Sequence, residues 1–479
     1  MTAESGTTLL AHAIGIRTDL PVSLWIVMVA GAGALIVSFA ALGSLWHTSK
    51  LRGDQAGAAL PGGVQAVLTS PAVRWALRFV VLVLSAFVVA VALFGPTDEQ
   101  FNLAPSAFYV TFWAGIVPAS LLLGPVWRLV NPLRTLYAGL ARLTGPAPAQ
   151  DQAVALGVLP AAGFMLAYTW LELVYPDRAV PQTVGTFLVL YAIVQLVAAL
   201  WYGESWFERG EAFEVWSTLL GRLAVLGRRA DGRYVLRNPL DGSDGTPQVR
   251  GLALFVCVMI GSTGYDGVTR AQWYQDRVAL DGSDIVTPTL GLLLTIGLVT
   301  ALYFGATAAA GAITEHRDDA APPTPAGRPG TVLTRPEVRV QPAARRLSVL
   351  RRLSVLRSPA AYAHSLVPIA AGYAVAHYFS LLVLDGQLTW ILLSNPLGLD
   401  GVDYFGTYRN EVDLTVVSPG VISTVQVGAI ILGHVIGVVL AHDRAVRLTR
   451  DSRTALRSQL PLLVMMVAFT LGGLGLLLG

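Results

Sequence analysis

Charge, cysteine and lysine are all scarce in this chain. Only 13% of its 479 residues are charged, against about a quarter in a soluble domain. Cys257 stands alone inside the apolar run LALFVCVMIG, which excludes an intrachain disulfide and any cysteine-based metal motif. Lys50 is the one lysine among 33 basic residues, a compositional habit that carries no mechanism. No stretch reads GxxxxGKS/T, GxGxxG, HExxH, GxSxG or an EF-hand loop with the flanks those motifs require. Nucleotide-driven transport and the common soluble catalytic classes therefore lose support. Apolar residues are abundant, at 54%, with a mean hydropathy of +0.59. The composition is that of an all-α polytopic integral membrane protein. It excludes a cytosolic enzyme and a disordered regulator. With a formal charge of only +3, it also excludes a nucleic-acid binder, despite a pI near 9.0.

A spanning helix needs about 20 mostly apolar residues, and ten stretches meet or approach that: 22–46, 75–96, 105–129, 154–175, 182–203, 250–268, 288–312, 359–384, 420–442 and 459–478. The first residues lack a basic n-region and an A-x-A cleavage site, so the first helix is expected to stay in the protein. Cytoplasmic loops retain arginine and lysine. The alternate loops 47–74, 128–150, 204–250, 313–358 and 443–458, with Arg78, hold 28 of the 33 basic residues, and the other side holds Arg17, Arg178, Arg270, Arg277 and Arg409. Acidic clusters at Asp98–Glu99, Asp276–Asp284 and Asp400–Asp413 lie on that second side. The expected topology is ten helices with N and C termini both outside. Residues 1–21 form an extracytoplasmic tail, 22–203 the first five helices, 251–312 the sixth and seventh, and 359–479 the last three. The setting is the plasma membrane, crossed many times.

Two cytoplasmic loops have character. Residues 204–250 hold a candidate amphipathic helix, GEAFEVWSTLLGRLAVLGRR, followed by DGRYVLRNPLDGSDG, which suits a small hairpin. Residues 313–358 begin as a Pro-, Gly- and charge-rich linker. They end in RRLSVLRRLSVLR at 345–357, where Leu347, Leu350, Leu353 and Leu356 recur every three residues among arginines. That pattern suits either a helix lying on anionic inner-leaflet lipids or a positive-inside anchor for the next span.

Polar side chains at membrane depth cost several kcal/mol, so each is a functional candidate. Glu172, Asp266, His377 and Gln426 all lie about 15–18 residues from the inner boundary, or ~22–27 Å, and can share one layer. Asp266, His377 and Glu172 are the candidate catalytic groups, and Gln426, Trp273 and Tyr265 candidate substrate contacts. Two carboxylates with a histidine suit a divalent metal ion and equally a proton relay. The competing reading is that these groups reach headgroup water beside an aromatic belt of Tyr168, Trp170, Tyr265, Tyr373 and Tyr378. A second polar set, His364 and His434, lies deeper toward the cytoplasm and can bracket one metal or a haem. The Gly433–Gly437 GxxxG spacing favours close helix packing instead and leaves little room for a macrocycle. His434 and His442 are i,i+8, about 12 Å apart along one helix, so they cannot share an ion. The outer loop 385–419 carries LTWILL, too short to span, which suits a re-entrant cap above Glu172, Asp266 and His377.

Several stretches form a recognisable set: GPVWRLVNPLRTLY at 124–137, ERGEAFEVWSTLLGRL with ADGRYVLRNPL at 208–240, GSTGYDGV at 261–268, SNPLGLDG at 394–401 and VQVGAIILGHVIGVVLAHDRA at 425–445. Together they resemble the actinobacterial polytopic membrane proteins labelled fenitrothion hydrolase-like. The resemblance covers most of the chain beyond its first hundred residues. It implies hydrolysis of an organophosphorus triester and carries over no site residues. From the residues themselves three functions stay open: a membrane-embedded hydrolase using a metal or a His–carboxylate pair, a proton-coupled transporter or channel, and a structural subunit. Substrate, metal and oligomeric state are not legible.

The charge asymmetry sets an expected labelling pattern. Single cysteines placed at Ser283 and Asp403 should react with an impermeant thiol reagent in intact cells, and one at Gly327 only after lysis. Reaction at Gly327 without lysis would reverse the orientation.

Overall fold

The computed structural model describes residues 23–145, 155–277, 284–319, 359–449 and 451–478. The arginine-rich repeat at 345–357, most of the 313–358 linker and the N-terminal tail lie outside the described residues. Among the described residues nine helices are long and apolar enough to cross a membrane, and the chain is an all-α polytopic membrane protein. The main helices are α1 (Leu24–Leu45), α2 (Pro71–Phe94), α3 (Leu103–Leu123), α4 (Pro132–Thr144), α5 (Leu159–Leu173), α6 (Pro181–Tyr202), α7 (Ala212–Arg222), α8 (Leu252–Arg270), α9 (Val286–Asp319), α10 (Pro359–Leu384), α11 (Gly386–Leu393), α12 (Pro419–Leu448) and α13 (Leu460–Leu478).

Burial follows the packing of small residues rather than hydrophobicity, because lipid is as apolar as leucine. In α1 the buried residues are Val27, Gly31, Leu35, Phe39 and Leu42, one narrow stripe against α12 and α13, while Trp25, Ile26 and Val37 face outward. The core is α10, with 18 of its 26 residues buried, packed most extensively on α12. Here the backbones touch. A Cβ on Gly433 would lie 2.5 Å from the Pro368 carbonyl oxygen, one on Gly437 2.8 Å from that of Ser365, and one on Gly372 2.5 Å from that of Ala429.

Three expected elements differ. The span at 154–175 is the 15-residue helix α5, about 22 Å long; it starts late because Gly157, at φ +61°, sits tight against the Arg250 carbonyl. The span at 105–129 is composite, with a π-helical stretch at Ser106–Ala114 between α-helical ends, and it stops at Gly124 (φ +87°) before Pro125. The amphipathic helix of 204–250 is α7, and it lies inside the bundle with nine of its eleven residues buried. Its polar face is satisfied by protein instead of water. Glu214 takes a bidentate pair from Arg134, Nε at 2.7 Å and Nη2 at 2.6 Å. Glu211 caps the helix by accepting from Phe213 N and Glu214 N, and also accepts from Tyr191 Oη, Trp127 Nε1 and Asn131 Nδ2.

The NPL triplets explain part of the motif set. Asn131 and Asn238 each cap a helix that begins at the following proline, by accepting from the backbone N–H of the leucine beyond it. Asn395 closes a turn through Leu399.

The turn-rich segment forms a hairpin of β2 (Leu226–Arg228) and β3 (Tyr234–Leu236), and β1 (Ala58–Ala59) pairs on the other edge of β3. Arg229 holds the Asp231 carboxyl in its turn down to about 2. Nearby, Asp443 gathers Trp46 Nε1 (2.9 Å), Ser49 Oγ (2.8 Å), the Lys50 backbone N–H (2.7 Å) and Arg447 (3.0 Å). His442 bridges the Trp46 carbonyl and Gln459. The AHD end of α12 is thus a clasp on the exit of α1.

Arg134→Met strands Glu214 in the interior and should cost about 3–5 kcal/mol, whereas Arg134→Met with Glu214→Leu should recover much of that loss. The apparent unfolding temperature in detergent measures both. A double variant as unstable as the sum of the singles would mean that the pair is not coupled.

Candidate functional site

Toward the ends of α8 and α10, on the side opposite the arginine-rich loops, the structure brings Asp266 and His377 into contact. Asp266 Oδ2 accepts from His377 Nε2 and from Arg270 Nη2, the latter at 2.8 Å, and Arg270 Nη2 lies 3.3 Å from the same imidazole nitrogen. Arg270 follows Asp266 by one helical turn, which puts both on one face. His377 is 5% exposed, while the Asp266 and Arg270 side chains keep some access to solvent. Glu172 on α5 lies within electrostatic reach of Asp266, Arg178 and Arg270.

This arrangement alters the expected metal site. Among the described residues no group of three or more His, Cys, Asp or Glu side chains converges on a common point as metal ligands. The guanidinium of Arg270 stands where a divalent cation would bind Asp266 and His377, neutralising the carboxylate and leaving Glu172 beside the pair. Asp266 and His377 form a hydrogen-bonded dyad, with Asp266 ion-paired to Arg270.

The remaining candidates are distributed differently. Tyr265 is fully buried, with its hydroxyl 2.8 Å from that of Tyr274 and its ring against Gly291. Trp273 is half exposed beside Tyr274. Gln426 is buried on α12. None of these three is hydrogen-bonded to Asp266 or His377. The expected cap, α11, packs chiefly on α3 and α10, with Thr389 bonded to Ser106 and Thr111, and so is offset from the α5–α8 side of the site. His434 and His364 do not meet. His434 Nδ1 lies 2.8 Å from the Ile430 carbonyl on its own helix, and its ring rests edge-on against Tyr373, nine residues and about 13 Å along α10 from His364. The helices run antiparallel and side chains lean toward each helix N-terminus, so the two imidazoles diverge.

An apolar cavity of about 310 Å³ opens between α8, α9, α10 and α13, with Ile430 of α12 at its edge, and His377 forms part of its wall with Gly264, Gly267, Leu298 and Tyr373. Missing side chains make the space, since a Cβ on Gly472 would meet nothing within 4 Å. The Tyr373 hydroxyl donates to the Phe469 carbonyl, and Gly473 admits the ring. On the far side Tyr378 accepts from Trp113 Nε1 at 2.8 Å and stands against the imidazole. Arg270 and the cavity glycines escaped sequence reasoning. Arg270 registers there only as a loop charge, although its i,i+4 spacing from Asp266 is a visible signal. No family model, curated protein or solved structure matches this chain.

If Asp266 and His377 act as one unit, Asp266→Asn and His377→Ala should each lower thermal stability in detergent, and the double variant should be little worse than either. Small additive shifts would dissolve the pair.

Proposed function

We propose that the chain is a plasma-membrane hydrolase that admits a lipophilic ester from the bilayer, of the organophosphorus kind or a carboxylic ester. One observation supports the reading above the rest: His377, oriented by the Asp266 carboxylate, is among the described residues the only charged or imidazole-bearing side chain on the wall of an otherwise apolar cavity. With Nε2–H donated to Asp266, Nδ1 is the base. A water proton passes to Nδ1 while the water oxygen bonds to the acyl or phosphoryl centre. The ester C–O or P–O bond breaks, and the departing oxygen takes the proton back. Arg270 holds Asp266 in place, and the carboxylate that Arg270 and His377 share faces the imidazolium formed in passing. Water enters from the solvent-facing side of Asp266 and Arg270, and the apolar part of the substrate occupies the cavity. With the termini outside, this chemistry sits toward the outer leaflet.

Glu172 supports a second reading, a proton-coupled transporter, because a second carboxylate beside the dyad gives a proton somewhere to go. Chromogenic p-nitrophenyl carboxylic and phosphoric esters of graded chain length, presented to the protein in lipid nanodiscs, separate the two. The expected result is turnover that His377→Ala lowers by about 10²-fold or more and that Asp266→Asn also lowers. Turnover indifferent to His377 rejects the hydrolase, and His377-dependent proton uptake by proteoliposomes without turnover favours the transporter.

A further inference from the structure

We propose a second site, independent of the dyad, in which Arg74, Arg78 and Arg142 around Trp75 bind the headgroup of an anionic phospholipid. The four residues lie where α2 leaves the arginine-rich face. Arg74 and Arg78 are i,i+4 on α2 and within electrostatic reach of one another. The Arg78 guanidinium carbon is 5.5 Å from the centre of the Trp75 ring, and that of Arg142, reaching across from α4, is 5.8 Å from it. One indole thus gathers cations from two helices.

What sets these arginines apart is the missing direct ion pair, since Glu204 and Glu214 act on Arg78 only from beyond contact. Their neighbours are neutralised within the protein: Arg128 by Glu208, Arg134 by Glu214 and Glu204, Arg222 by Asp54. Among the described residues no carboxylate lies within ion-pair distance of Arg74, Arg78 or Arg142. Arg78 is anchored by donating Nε to the Leu129 carbonyl at 3.0 Å, and the Nε of Arg74 is buried without an acceptor. Like charges held this close repel, and a guanidinium is shaped to bind phosphate through paired N–H groups. An external phosphodiester supplies the charge, and acceptors for the guanidinium N–H groups that reach the surface.

The phosphate belongs to a lipid because of what adjoins it. α2 is the barest helix of the bundle, with only Val91 and Ala92 buried. From the arginines onward it presents Leu77, Phe79, Val80, Val83 and Leu84 outward. Acyl chains can lie along that face while the headgroup rests over Trp75, a residue type suited to the interface. Basic pockets between spanning helices on the positive side recognise anionic lipid on the same physical grounds.

The test uses the full chain purified in neutral detergent. Apparent melting temperature and lipid adducts in native mass spectra are followed with phosphatidylglycerol, phosphatidylcholine or inorganic phosphate added. Phosphatidylglycerol should stabilise the protein and remain bound, and the other two should not. R74Q/R142Q, which keeps the Arg78 anchor, should weaken phosphatidylglycerol binding by about tenfold or more. R453Q/R457Q, which removes the same charge elsewhere on that face, should leave it intact. R142Q alone changes an exposed side chain and gives a folded variant should the pair prove unstable; it too should weaken binding. Equal stabilisation by phosphatidylcholine, reproduction by inorganic phosphate, retention of binding in R74Q/R142Q and R142Q, or equal loss in R453Q/R457Q would each overturn the site.

Discussion

The Arg134–Glu214 ion pair governs more of this structure than its two side chains suggest. Charges away from water are tolerated only when fully paired, and this pair, with Asn131 and Glu211, allows α7 to lie inside the bundle. α7 brings Phe213 to the centre, where it meets Trp113, Tyr168 and Tyr191 edge to face or tilted. Trp113 in turn fixes the hydroxyl of Tyr378 beside His377. A continuous path of packed aromatic rings therefore runs from the lock to the dyad, and the imidazole owes its setting to charges on another layer of the protein.

Glycine plays two opposite parts, and the difference places the cavity. At Gly372, Gly433 and Gly437 the absent side chain is filled by a neighbouring backbone, so α10 and α12 close on each other and exclude a macrocycle. At Gly472 nothing fills the gap, and at Gly264 only Thr295 approaches, at 3.7 Å. Space accumulates on the α8–α13 side of α10, reaching Ile430 at the edge of α12, and not along the glycine contacts of α10 with α12. His377 faces the open side, and His434 faces the closed one against Tyr373.

Membrane architecture was legible because hydropathy alone decides it, and Asp266 and His377 stood out because polar groups at that depth need a reason. Helix rotation was not legible, and rotation turns Tyr265 toward Tyr274 and Gly291 instead of toward the dyad. The segment 212–222 misled for a specific reason: an amphipathic pattern reports a polar face without saying whether water or Arg134 satisfies it. Arg270 misled similarly, since a basic residue in a short segment serves topology and a site equally well. The 15-residue α5 reads as a full span because apolar character continues past Gly157, where the backbone must turn against Arg250.

The cavity's surroundings limit what it can contribute to recognition. A molecule entering an apolar pocket from water gains roughly 25 cal/mol for each Å² buried. One entering from the bilayer exchanges one apolar environment for another and gains little on that account. Apolar contact around Leu298 and Tyr373 therefore cannot by itself select a substrate from among membrane lipids. On the proposed hydrolase reading, selection comes from shape, set by which glycines leave room and which are filled, and from the polar end at His377. A bulky lipophile with one compact polar centre satisfies both conditions. A two-chain lipid, whose polar headgroup belongs at the membrane surface, satisfies neither, and its proposed charge complement is the arginine cluster around Trp75.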